Sequence, residues 1–127
     1  MFEFMNITKA MADANRIRIL MALRGGELCV CQIIDLLDLS PSTVSAHLSI
    51  LRNARLIVGR KEGRWMYYRL NGNGEQTAAI DAIRWVVKSV GNDPVIVEDQ
   101  RKLAEITSPG TGVSPENAGT PASCRCS

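Results

Sequence analysis

One histidine, His47, is all the imidazole in a chain of 127 residues. Histidine-built metal centres are therefore ruled out, and a thiol enzyme would lack the usual base to activate its sulfur. No apolar run approaches the ~18 residues of a membrane span. The opening "MFEFMNITKA" has no basic segment followed by an apolar one, so it is not expected to be a signal peptide. There are no internal repeats, and no βαβ pattern of the thioredoxin kind surrounds any cysteine pair. These absences predict a soluble, cytoplasmic protein that is not an enzyme and has no membrane partner.

What is present suits one compact domain. Hydrophobic residues make up 46% of the chain, enough to fill a core without disulfide staples. Net charge is only +2, yet it is unevenly spread. Residues 1–70 hold ten Lys/Arg against six Asp/Glu, and residues 71–127 hold five against seven. From Arg52 to Arg69 there are six basic residues and one acid, Glu62. A local basic patch in a near-neutral chain is the mark of a phosphate-binding face.

Periodicity gives the elements. Phe2 to Ala12 is helical in pattern, with Phe4, Ile7 and Met11 on one face. Asp13 can cap a second helix, "ANRIRILMALR", which Gly25-Gly26 ends. A short helix from about Val30 to Leu37 turns Ile33, Leu36 and Leu37 inward. Ser40-Pro41 starts the next, since the hydroxyl can cap free amides and proline fits the first helical position. This helix runs to about Ala54. Val44, Leu48 and Leu51 face in, while Ser42, Thr43, Ser45, Ala46 and Ser49 face out. Small polar residues there suit close approach to another surface.

"LIVGRKEGRWMYYRL" predicts a β-hairpin turning at Glu62-Gly63. A helix from Glu75 to about Val90 carries a stripe of Ile80, Ile83, Val87 and Val90, and a weaker helical stretch covers 93–106. Residues 107–127, rich in Ser, Pro, Gly and Thr, predict a flexible tail ending in a Cys-x-Cys pair. The whole is mainly α with a β-hairpin wing: a winged helix-turn-helix over 1–92. Its second helix would enter the DNA major groove and its hairpin would follow the backbone. Ser42, Thr43, Ser45 and His47 are candidates for groove and phosphate contacts. Arg52, Lys61 and Arg64 are candidates for phosphate contacts, which position a protein without reading sequence.

"ADANRIRILMAL", "ELCVCQI" and "LSPSTVSAHLSILRNARLIVGRKEGRWMYYRL" together resemble the ArsR/SmtB family of bacterial metal-responsive repressors, over about residues 5–90. The resemblance implies a homodimer through the first and last helices on an imperfect inverted repeat of double-stranded DNA, released by metal. The apolar stripes exceed what one small core needs, and a two-fold dimer would bury them and set two reading helices ~34 Å apart. One departure is Arg55, where the family usually has glycine. A left-handed turn there would cost roughly 1 kcal/mol.

Within the family, "ELCVC" marks sensors of soft, toxic ions. Thiolates select soft ions, and a helix N-terminus lowers a thiol's pKa. Successive helical residues turn by ~100°, so Cys29 and Cys31 would point ~200° apart and could grip one ion only if the first turn unwinds or starts later. Binding would then deform the helix that supports the reading helix. Compact ArsR-type sites place a third cysteine where this chain has Ile34, so the remaining thiols, Cys124 and Cys126, are the candidates for the third ligand of As(III) or Sb(III). All four cysteines would instead make a tetrahedral site for Cd(II), Pb(II) or Zn(II). A redox-sensing repressor is the other alternative. The family's histidine and carboxylate site on the last helix is missing, because "IDAIRWVVKSV" has no histidine.

Overall fold

The computed structural model of the chain describes residues 1–72 and 78–107. Nine elements follow in order: α1 (Phe2–Ala10), α2 (Ala14–Leu23), β1 (Leu28–Cys29), α3 (Val30–Leu37), α4 (Pro41–Asn53), β2 (Ile57–Glu62), β3 (Trp65–Leu70), α5 (Ala78–Val90) and α6 (Pro94–Thr107). The helix expected from Glu75 begins, among the described residues, at Ala78. The strands form one antiparallel sheet in the order β1-β3-β2.

Local chemistry fixes the helix starts. Asp13 accepts the amides of Asn15 (2.8 Å) and Arg16 (3.3 Å) at the head of α2. Its carboxyl is held below the ordinary value: burial opposes this, but those amides and the Arg16 charge outweigh it. Ser40 Oγ accepts the Thr43 amide (3.3 Å) at the head of α4, with Pro41 as its first residue. One buried cluster then joins every helix to the sheet, with Ile19, Ile33, Leu36, Val44, Leu51 and Leu56 wholly buried.

Helix α4 leaves through a Schellman turn. The Leu56 amide bonds Leu51 O (3.1 Å) and the Arg55 amide bonds Arg52 O (2.9 Å). Arg55 therefore takes the left-handed conformation at φ 62°, the position glycine fills in the family pattern. Asn71 Nδ2 donates to Arg55 O (2.9 Å), which holds the turn. In the hairpin, Glu62 pairs with Trp65, so the two loop residues are Gly63 and Arg64, not Glu62 and Gly63. Gly63 at φ 63° supplies the positive angle that a two-residue hairpin loop demands.

Helix α6 is part of the core. Its Asp99, 5% exposed, takes a two-pronged bond from Arg18 on α2, at 2.7 and 3.0 Å. Lys102 Nζ donates to Leu36 O near the end of α3 (3.0 Å), and Gln100 Nε2 to Met21 O (3.3 Å). Removing Asp99 would leave Arg18 without its counter-charge, a change that typically costs about 3 kcal/mol or more. Helices α1 and α5 leave apolar side chains in the open: Phe4 is 59% and Trp85 64% exposed. Between them lies an apolar depression of about 270 Å³ lined by Phe4, Ile7, Met11 and Ala82.

Candidate thiol site and nucleic-acid interface

The thiol site begins with a strand that periodicity alone did not reveal. Leu28 and Cys29 form β1 by pairing with Tyr68 and Tyr67 of β3. Cys29 is extended (φ −70°, ψ 146°) and is the N-cap of α3, so the helix starts after it at Val30. Gln32 Oε1 accepts the Cys29 amide (3.0 Å), and the Cys29 sulfur faces the Gln32 amide in return: a capping box with sulfur where a hydroxyl usually sits. The two cysteines are therefore not both on a regular helix, and the ~200° divergence expected of them does not apply.

Both sulfurs are covered. Cys29 is 0% and Cys31 1% exposed. Burial pushes the Cys29 thiol above its ordinary value, against the opposing pull of the backbone N–H groups of Cys31 and Gln32. This corrects the expectation that the helix N-terminus would lower it; burial wins over the helix end. Cys31 is disulfide-bonded, and not to Cys29. Among the described residues no group of three or more His, Cys, Asp or Glu side chains could hold a metal ion. The segment thus offers two sulfurs, the right donor type for a soft ion but one short of three. Cys124 and Cys126 lie outside the described residues. Thr107, the last described residue, lines the same cleft of about 340 Å³ as Gly26, Glu27 and Leu28, the residue before Cys29.

The second surface is formed by α4 and the hairpin. Ser42, Thr43 and Ser45 are exposed on the outer face of α4. Ser40 Oγ donates to Thr43 Oγ1 (2.8 Å) and lies 3.3 Å from Ser42 Oγ, so the hydroxyls cluster at the helix start. Such a start is the positive end of the helix dipole and suits an anion. Arg52, Lys61 and Arg64 are exposed. His47 stands apart: it is half-buried, and its Nδ1 accepts from Arg16 Nη1 (3.1 Å). A guanidinium can only donate, so the neutral ring carries its proton on Nε2. The neighbouring Arg60 is committed elsewhere. It grips Glu27 (2.7–3.1 Å) and Glu62 (2.6 Å) and lies 4.7 Å from the Tyr67 ring centre.

A buried-backed helix pair, a basic two-stranded wing and an outward face of small polar side chains define a winged helix-turn-helix DNA-binding regulator. Residues 13–58 match the family model for bacterial regulatory proteins of the arsR family. The chain is 38% identical over 102 residues to the arsenic resistance transcriptional regulator ArsR1 of Pseudomonas putida KT2440, covering 79% of this chain and 77% of that one. It is 44% identical over 64 residues to the arsenical resistance operon repressor of Escherichia coli K12, covering 50% of this chain and 55% of the relative. HlyU from Vibrio cholerae N16961 superposes with a TM-score of 0.58 at 32% identity, over 68% of this chain and 89% of that one. The homodimeric winged helix-turn-helix DNA-binding domain of Mb0332 from Mycobacterium bovis gives 0.58 at 28%, over 81% of this chain and 83% of that one. The chain belongs to the ArsR family: it is a DNA-binding transcription regulator, not an enzyme. Among the described residues no helix is long and apolar enough to cross a membrane.

Proposed function

We propose that this regulator represses transcription in the cytoplasm as a homodimer on an imperfect inverted repeat, and leaves the DNA when As(III) or Sb(III) binds the thiolates of Cys29, Cys31 and one of Cys124 and Cys126. The observation that carries the reading is the pair of buried sulfurs at the head of α3, the helix whose Ile33, Leu36 and Leu37 share a core with Val44, Leu48 and Leu51 of α4. An ion reaches those sulfurs only by moving the start of α3, and α4 rests on α3. The arsenic resistance named for two relatives supports the choice of ion.

Ser42, Thr43, Ser45 and the Nε2–H of His47 act as groove and phosphate contacts, and Arg52, Lys61 and Arg64 as phosphate contacts. The exposed apolar side chains of α1 and α5 are the dimer face. The third sulfur has the reach: Cys124 is seventeen positions beyond Thr107, and a flexible segment of that length has a root-mean-square span of about 23 Å.

Operator release followed by fluorescence anisotropy, under reducing conditions, tests the reading. As(III) or Sb(III) is expected to weaken operator binding on the order of tenfold to a hundredfold. Cys29→Ser, Cys31→Ser and the double variant Cys124→Ser/Cys126→Ser should stay on the DNA. A full response from the double variant removes the tail from the site. Release by Cd(II), Pb(II) or Zn(II) alone turns the site into a four-thiolate one. A second reading, release by oxidation, is favoured by the Cys31 disulfide; response to peroxide alone would establish it. Operator affinity should also fall steeply with salt, and Arg64→Ala should weaken binding to all sequences alike.

A further inference from the structure

Two links run from the thiol segment to the wing, a third joins them within it, and none passes through α4. Cys29 is paired to Tyr67 across the β1–β3 ladder. Tyr67 in turn pairs with Arg60 on β2, whose guanidinium lies against its ring. Glu27, two residues before Cys29, takes Arg60 in a fork: Nε to Oε2 at 2.9 Å and Nη2 to Oε1 at 2.7 Å. The hairpin is seated in the core through Ile57 and Tyr68, and β1 adds a third strand that fixes the edge of β3 beside it.

We infer that Glu27 and Arg60 are positioning residues that make the wing a second output of the thiol segment. While Cys29 is seated in β1, the ladder and the fork hold β2 and β3 at one pitch, with Lys61 and Arg64 presented to the DNA backbone. When Cys29 leaves its place to bind a soft ion, β1 peels from β3, Glu27 is drawn off Arg60, and the wing loses its frame. The inference rests on the proposed role of Cys29 and adds a route to the one through α3 and α4.

Hydrogen exchange and operator affinity, read together on the full-length chain with and without As(III), test this. As(III) should speed exchange of the Tyr67–Leu70 amides on the order of tenfold. Glu27→Gln should speed the same amides without any ion, and should shrink the As(III)-driven loss of operator affinity several-fold, because part of that change has already occurred. Cys29→Phe, which unseats β1 without an ion, should mimic As(III) on the wing amides. If As(III) releases DNA while the wing amides and Glu27→Gln stay as in the unliganded wild type, the wing role falls and the proposed function stands. If no soft ion releases DNA but Cys29→Phe still loosens the wing, the coupling stands and the ion reading falls. Unchanged wing amides in Cys29→Phe and Glu27→Gln alike overturn the coupling.

Discussion

Helices α3 and α4 begin with the same device in opposite surroundings. Each has an extended N-cap residue whose side chain meets the amide three residues on, Cys29 with Gln32 and Ser40 with Thr43. Ser40 is exposed beside other hydroxyls, while Cys29 is wholly covered by the core and by β3. The difference teaches that a helix start is a binding site only as far as water, or a ligand replacing water, can reach it. At Ser40 the positive end of the helix faces solvent and suits an anion. At Cys29 the amides are outweighed by burial, and the sulfur keeps its proton.

The sharpest way to break the comparison is to place a carboxylate at both starts. Cys29→Asp should cost about 3 kcal/mol, because a charge would be buried with only amides for company. Ser40→Asp should change stability by less than about 0.5 kcal/mol, aspartate being as good a cap as serine. Urea denaturation of the two variants measures the gap; equal losses would mean that the two starts are alike. On the proposed interface, Ser40→Asp should nonetheless weaken operator binding by roughly tenfold, since it adds a negative charge at the start of the helix meant to meet DNA.

Titration gives the next contrast. In a variant keeping Cys29 as its sole cysteine, thiolate absorbance should appear with a midpoint above 9.0. The folded state then holds the proton more tightly than the unfolded chain does. The stabilisation it brings is whole at neutral pH and is lost as pH rises through the folded value. Ion affinity should rise with pH over the same range, because each thiolate bond displaces a proton. A midpoint below 9.0 would show the helix end prevailing.

Smaller effects refine the picture at α4. Ser40→Ala should cost about 1 kcal/mol by thermal melting. Arg55→Gly should stabilise by about 0.5 kcal/mol, relief of the left-handed turn being partly offset by glycine's freedom in the unfolded chain.

Much of this was legible in the residues, where local rules decide. Ser40-Pro41 and Asp13 announce helix starts, and Gly63 announces the hairpin, because caps and positive φ angles depend on a few neighbours. Arg55 marked itself as a departure. What stayed hidden depends on distant partners. Leu28 and Cys29 are strand only because β3 lies beside them. The weight of α6 rests on Asp99 meeting Arg18, 81 positions away, and no pattern within 93–106 announces that pairing. His47 stood in the sequence as a candidate DNA contact, and only the folded arrangement turns its Nδ1 to Arg16. The Cys29 thiol misled for the same reason: position on a helix is local, but covering is not. The Cys124 and Cys126 ligand proposal lies outside the described residues, so its support is chemical.

Arg16 spans three helices with one guanidinium. From α2 it donates to Ala10 O at the end of α1 (2.7 Å), to Lys9 O (3.3 Å) and to His47 on α4 (3.1 Å). The tilt of α4 is thereby measured from the last turn of α1, much as a compass arm is set from its pivot. In the proposed dimer, where α1 meets a second protomer, this brace adds to the direct packing of α1 on α4 in setting the gap between the two reading helices, and shortening it by Arg16→Lys would detune the match to one helical repeat of DNA.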